Sequence, residues 1–226
     1  MGTYPKYFAN TISLFGISKA FGLASFRAGV VVAPLPVCKG LSQAIFQLMD
    51  STPVPQVAGI VGAFNGSDRR YKEYDRYFRP IIAEYVYRYQ FFKAMVEGID
   101  SIPDQNTRQK IENDIRAYQK DENTVKMLLE GIPGVHIRKG TEPDSGFFAC
   151  MDLTPLKGKK YGDKVILNDE DMLEYFYIKG KIVWIMGESM SWPYEDEIIG
   201  RVNFALEKEA LVYNMSIITK AVRELQ

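Results

Sequence analysis

A long helical pattern in the middle of the sequence sets the strongest limit on the fold. Between residues 71 and 99, apolar and aromatic side chains recur at helical spacing. They are Tyr74, Phe78, Ile81, Ile82, Tyr85, Tyr89, Phe92 and Met95. Such a stripe is typical of a helix that buries one face in a core. Pro80 is expected to kink this helix or to begin a new segment.

Short strand-like segments lie on both sides of this helical region. Residues 28–33 are apolar at every position except Gly29, which is typical of a strand in a covered, mostly parallel sheet. The other predicted strands are 11–15, 135–138, 147–153, 182–186 and 201–206. Residues 101–124 are polar and predict a loop followed by a solvated helix that ends near Gly131. We place the boundary between two lobes between residues 95 and 130.

Composition excludes several classes of function. The chain of 226 residues has 28 basic and 28 acidic side chains, so it has no global field that attracts nucleic acid. No apolar stretch approaches the roughly 20 residues needed to cross a bilayer, and the N-terminus lacks a signal-peptide pattern. Two cysteines, Cys38 and Cys150, are too few for a disulfide framework. A cytoplasmic protein without a membrane span is expected.

A lysine motif near the N-terminus carries most of the functional information. Residues 18–29 read Ser-Lys-Ala-Phe-Gly-Leu-Ala-Ser-Phe-Arg-Ala-Gly. This segment resembles the signature of class I/II (fold type I) pyridoxal-phosphate-dependent aminotransferases, which combines Ser-Lys, Gly-Leu and a later Arg-x-Gly. Gly16 departs from the pattern, since the family often has a hydroxyl residue three positions before its lysine. The alternative without a functional role is that Lys19 is a surface lysine at a strand end and Arg27 its exposed neighbour.

The resemblance implies a cofactor site for pyridoxal 5'-phosphate (PLP). Lys19 would form a Schiff base with the PLP aldehyde and act as the catalytic residue. Arg27 and Ser18 would bind the cofactor phosphate through charge-assisted and hydroxyl hydrogen bonds. No metal-ligand cluster is found in the sequence, and the lone His136 is interpreted as structural.

A second motif supports the same resemblance. Residues 200–205 read Gly-Arg-Val-Asn-Phe-Ala and resemble the family's Arg-[Ile/Val]-Asn-x-Ala strand. By this resemblance Arg201 binds the substrate α-carboxylate as a planar fork. The alternative is a structural arginine paired with Glu195 or Glu197. Residues 145–148, Ser-Gly-Phe-Phe, resemble the family's entry to the C-terminal lobe. Gln47 lies near the place where dicarboxylate-specific members keep an arginine, which disfavours aspartate as substrate. Met186-Gly187-Glu188 replaces the family's usual Pro-Gly and indicates an atypical substrate or a diverged member.

The resemblance predicts an α/β fold in two parts. Residues 1–100 would be part of the PLP-transferase large domain, with a mixed, mostly parallel sheet and helices. Residues 101–226 would be the small C-terminal α+β domain. The implied function is an aminotransferase, in fragment or truncated form, that moves an amino group between an amino acid and a 2-oxo acid, with a homodimer as the expected assembly.

The family's N-terminal half, with the aspartate that pairs with the pyridine nitrogen, has no counterpart in these residues. The 226-residue chain alone is therefore expected to bind PLP weakly and not to transaminate. Two alternatives stay open. One is another fold-type I PLP enzyme, a β-lyase or a decarboxylase. The other is a non-catalytic fragment that acts in dimerisation.

Overall fold

The computed structural model describes residues 4–18, 21, 23–50, 52–64, 68–142 and 146–226 of the chain. Its internal contacts divide it into two compact units, Met1–Tyr77 and Phe78–Gln226, here called unit 1 and unit 2. The boundary falls inside a long helix, because the residues of that helix after Tyr77 pack into the core of unit 2. The predicted division into domains at 1–100 and 101–226 stays a prediction.

Unit 1 contains two short strands and several helices. Strands β1 (Ser13–Gly16) and β2 (Gly29–Val32) are joined by a segment that includes a 3-10 turn, Ala24–Phe26. Its helices are α1 (Pro5–Phe8), α2 (Leu35–Met49), α3 (Val54–Phe64) and the first part of α4 (Asp68–Glu97). Pro36 lies in the first turn of α2, where its missing N–H group would have no helical partner.

The expectation of a mostly parallel sheet is wrong for the described residues. β1 and β2 pair antiparallel, and so do all other strand pairs that the structure describes. The chain reverses direction between Gly16 and Gly29, because these two residues face each other in the antiparallel register. The strands are also largely exposed, with Leu14 76% and Phe15 49% accessible.

Unit 2 is a layer of helices on a four-stranded antiparallel sheet. The strand order is β3 (His136–Ile137), β4 (Phe148–Asp152), β8 (Ile199–Asn203) and β7 (Ile185–Met186). A hairpin of β5 (Lys160–Tyr161) and β6 (Lys164–Val165) lies apart from this sheet. The helices are α5 (Gln105–Tyr118), α6 (Glu122–Glu130), α7 (Asp169–Gly180) and α8 (Lys208–Glu224), and α5, α6 and α7 all contact α8.

The core of unit 2 explains why its helices form. Phe91, Phe92 and Met95 on α4 are fully buried together with Leu128 and other apolar side chains of the sheet and helices. The side chain of Asp104 accepts the N–H of Thr107 at 2.7 Å and so caps α5. Asp121 caps α6 in the same way at 2.9 Å. α4 continues as one helix through Pro80.

Candidate functional site

The predicted cofactor lysine, Lys19, lies outside the described residues. The strand that leads to it, β1, ends at Gly16, and the next side chain, Ile17, is fully buried. Ser18 is half-buried. A buried anchor directly before the predicted phosphate ligand fixes the direction in which the chain leaves the strand.

The pairing of β1 with β2 brings Ser18 and Arg27 to the same end of one ladder. Gly16 is paired with Gly29 in the last register position. Ser18 follows Gly16 by two residues, and Arg27 precedes Gly29 by two. Arg27 is exposed and has a left-handed φ of 48°, which is uncommon for a residue with a Cβ. The backbone thus places a hydroxyl and a guanidinium at one edge of this strand pair.

The second predicted site residue, Arg201, lies in the middle of β8 in unit 2. It is directly opposite Cys150 of β4 and Ile185 of β7. Because side chains alternate along a strand, Arg201 shares a sheet face with Cys150 and Phe148, while Gly200 and Val202 face the opposite side. That opposite side carries the core, since the ring of Trp184 lies against Gly200.

The guanidinium of Arg201 rests on an aromatic ring and not on a carboxylate. Its Cζ atom lies 4.8 Å from the centroid of the Phe148 ring. Among the described residues, no Asp or Glu forms an ion pair or hydrogen bond with Arg201. Glu197 instead pairs with Arg138, and the distance from Nη2 of Arg138 to Oε1 of Glu197 is 2.6 Å. The alternative ion pair of Arg201 with Glu195 or Glu197 is not found in the part of the chain that the structure describes.

The sequence interpretation overlooked Cys150 as a neighbour of the candidate site. Burial raises the pKa of its thiol, although a hydrogen bond with Thr141 and the charge of Arg201 act in the opposite direction. Cys38 and Cys150 are both free and half-buried. His136 is exposed, with Nε2 3.4 Å from Oδ2 of Asp152, which fits a structural role.

The atypical Met186-Gly187-Glu188 segment borders a cavity of about 370 Å³ in unit 2. Asp169 fixes this segment, because its Oδ2 accepts the N–H of Glu188 at 2.8 Å. The cavity is also lined by the aromatic side chains of Trp192 and Tyr194. Gln47, the other departure from the family pattern, is exposed on α2.

The fold of this chain has a counterpart among solved structures. The chain is similar in fold to the aspartate aminotransferase from Rhizobium meliloti. The TM-score is 0.63 at 19% sequence identity, and the match covers 99% of this chain. This chain spans only 44% of the length of that aminotransferase. No family profile matches the sequence, and no curated protein matches it.

The match to an aminotransferase shows the fold alone. Whether a cofactor fits depends on the hydrogen-bond donors that the side chains present. Ser18 and Arg27 supply a hydroxyl and a guanidinium, which is the donor chemistry that a phosphate dianion requires. Within the described ranges, no group of three or more His, Cys, Asp or Glu side chains could hold a metal ion. None of the described helices has the length and apolarity that a membrane crossing demands.

Proposed function

We propose that this chain forms the C-terminal part of a PLP-dependent aminotransferase of class I/II. The observation that carries the proposal is the agreement of the fold with an aspartate aminotransferase over 99% of the chain. The lysine and arginine motifs, read from the sequence independently of the fold, support it. The reaction is the transfer of an amino group between an amino acid and a 2-oxo acid.

In this proposal the residues at the end of the β1–β2 pair hold the cofactor. The hydroxyl of Ser18 and the guanidinium of Arg27 donate hydrogen bonds to the phosphate. Lys19 would hold the cofactor covalently through its amine, and the same amine would move a proton at the substrate Cα. PLP supplies an electron sink that makes this proton acidic.

Arg201 binds the α-carboxylate of the substrate. A guanidinium presents two parallel N–H groups to a carboxylate, so it fixes both the position and the orientation of the substrate. None of the described carboxylates pairs with Arg201, so its N–H donors are available to a substrate carboxylate in this proposal. We propose further that the protein acts as a homodimer in the cytoplasm.

The covalent role of Lys19 is tested by trapping. The full chain is incubated with PLP, reduced with borohydride and digested, and the modified peptide is found by mass spectrometry. The label should lie on Lys19 and be lost in Lys19→Ala. Lys39→Ala, which changes an exposed lysine on α2, is the control and should keep the label. Labelling of a different lysine in the wild-type chain contradicts the proposal.

The role of Arg201 is tested in the complete enzyme. Arg201→Ala should weaken substrate binding by about 10- to 150-fold, the worth of a charge-assisted contact, with little loss of PLP. Arg223→Ala is the control, since Arg223 pairs with Glu130 on the surface. Equal loss of PLP and substrate from Arg201→Ala shows that Arg201 does not act on the substrate alone.

Two other functions are distinguished by their products. A β-lyase or a decarboxylase uses the same cofactor but needs no 2-oxo acid acceptor. Conversion of an amino acid that depends on an added 2-oxo acid supports transamination, and conversion without it supports the other PLP reactions. A non-catalytic dimerisation fragment would give neither.

A further inference from the structure

Phe148 forms the surface on which the Arg201 guanidinium lies. The two residues are diagonal neighbours on one sheet face, because Phe148 is opposite Asn203 and Arg201 is opposite Cys150. The guanidinium carbon is 4.8 Å from the ring centroid, within the range of a cation–π contact. Phe148 is half-buried, so its ring is partly shielded from solvent.

The Phe148 ring is itself fixed by neighbouring rings. Its centroid lies 5.0 Å from that of Phe147. Phe147 in turn lies 5.6 Å from Tyr85 of α4. A row of aromatic rings therefore connects the long helix to the guanidinium, and each ring limits the movement of the next.

Two acidic side chains near the ends of β4 and β8, Asp152 and Glu197, already have partners other than Arg201. Asp152 accepts the N–H of Thr154 at 3.0 Å and lies beside His136. Glu197 accepts hydrogen bonds from Arg138 and from the indole of Trp192. An aromatic face holds a cation without using its N–H donors. Arg201 is thus held by the ring, and none of the described carboxylates occupies the N–H edge that would meet an incoming anion.

We propose that Phe148 is a positioning residue for carboxylate binding by Arg201. The inference rests on the proposed role of Arg201 as the substrate carboxylate ligand. The ring face orients the guanidinium plane, so that the two N–H groups of its fork meet a carboxylate together. Removing the ring lets the arginine side chain sample other rotamers, and part of the binding free energy is then spent on ordering it.

The test uses the full chain and measures the arginine directly. Protons above an aromatic face are shielded, so the Nε–H proton of Arg201 is expected upfield of an exposed arginine in the NMR spectrum. Its resonance is assigned by its disappearance in Arg201→Lys. Phe148→Leu removes the ring but keeps apolar bulk, and Phe148→Tyr keeps the ring face. Sodium acetate is the probe, titrated at constant ionic strength against sodium chloride.

Loss of the upfield shift in Phe148→Leu, with acetate binding at Arg201 about 2- to 30-fold weaker, supports the proposal. Phe148→Tyr should keep both the shift and the affinity. Phe148→Met replaces the leucine variant if that variant melts below the wild-type chain. Unchanged shift and affinity without the ring, or equal weakening in the leucine and tyrosine variants, overturns it. The trapping test on Lys19 does not involve Phe148, so the two proposals fail separately.

Discussion

The indole ring of Trp184 lies directly against the backbone of Gly200. A Cβ atom on Gly200 would meet Cε3 of Trp184 at 2.0 Å, far inside van der Waals contact. The same indole stacks on Phe176 with centroids 4.9 Å apart, so it has little room to move. Gly200 directly precedes Arg201, and the two side-chain positions lie on opposite faces of β8. The packing of one face therefore controls the strand that presents the site residue on the other.

We predict that Gly200→Ala lowers the free energy of unfolding of unit 2. The added methyl must displace Trp184 or the strand, and such overpacking costs about 1–3 kcal/mol. Urea denaturation followed by tryptophan fluorescence measures the change. Gly40→Ala is the control, because a Cβ there meets nothing within 4 Å. If Gly200→Ala unfolds at the same urea concentration as Gly40→Ala and the wild-type chain, the contact with Trp184 does not limit the residue at position 200.

We predict a larger loss for Gly131→Ala. Gly131 has a φ of 83°, and its Cβ would lie 2.4 Å from the amide nitrogen of Gly98, where the ends of α4 and α6 approach. The left-handed backbone and the overlap together should cost about 2–5 kcal/mol. Gly140→Ala is a matched control, with a φ of 84° and open space around the Cβ. Equal destabilisation by both variants would mean that the backbone angle alone is responsible.

A half-buried network between helices should make stability depend on pH in the acid range. Asp114 accepts hydrogen bonds from Tyr87 and Lys208, each at 2.7 Å. Burial acts to raise the pKa of Asp114, but these hydrogen bonds and the charges of Lys208 and Lys110 outweigh it and hold the pKa below its ordinary value. A depressed carboxylate pKa stabilises the fold above the unfolded value of about 3.9 and loses this effect as pH falls through the folded pKa.

Asp114→Asn should therefore cost about 1–3 kcal/mol at neutral pH. The difference from the wild-type chain should begin to shrink at about pH 4, where Asp114 of the unfolded chain takes up a proton, and it should be lost once pH has fallen through the lower folded pKa. Denaturation curves at several pH values provide the measurement. Asp100→Asn serves as control, because the Asp100 side chain is 94% exposed in its pair with Arg108. A difference that stays constant down to pH 2 excludes the carboxylate charge as its source.

The two units should differ in local stability. Among the described apolar side chains of unit 1, only Ile17 and Ala33 are buried, whereas Leu48 and Val54 are 82% and 78% exposed. Helices without a buried face open at low free energy. Hydrogen exchange of the full chain should show protection in α2 and α3 at least ~100-fold below that of α8. Similar protection in all three helices would show that unit 1 has a source of stability beyond its described contacts.

The sequence predicted the elements with a clear hydrophobic period and missed those without one. The closing helix α8 and the strand β4 lie where helical spacing or alternation predicts them, and β8 begins two residues before its predicted start at Arg201. α5 was expected to be a loop leading into a solvated helix. It is a helix that buries Ile111 and Ile115, because two apolar side chains one turn apart are enough to anchor it. The polar residues around them conceal this period.

The candidate site was only partly accessible to sequence reasoning. The lysine and arginine motifs, through their resemblance to the aminotransferase signatures, predict Ser18, Lys19, Arg27 and Arg201 as site residues. The ring of Phe148 beneath Arg201 could not be predicted in the same way, because the contact depends on the register between β4 and β8. The apolar run at 28–33 led to the expectation of a parallel sheet. Such a run indicates that a strand is buried on both faces, but it does not determine whether its neighbour is parallel or antiparallel.

A one-residue slip of β8 along β4 would exchange the two faces of the strand. Arg201 would then point at Trp184 and the core, where an unpaired guanidinium is costly, and Val202 or Gly200 would stand beside Cys150. The Gly200–Trp184 contact also opposes this slip, since no other residue of β8 leaves room for the indole. Gly200 on one face and the charge of Arg201 on the other therefore both favour the observed register of β8 with β4. A single-residue deletion within β8 should be tolerated far less than one in the surface turn at residues 162–163.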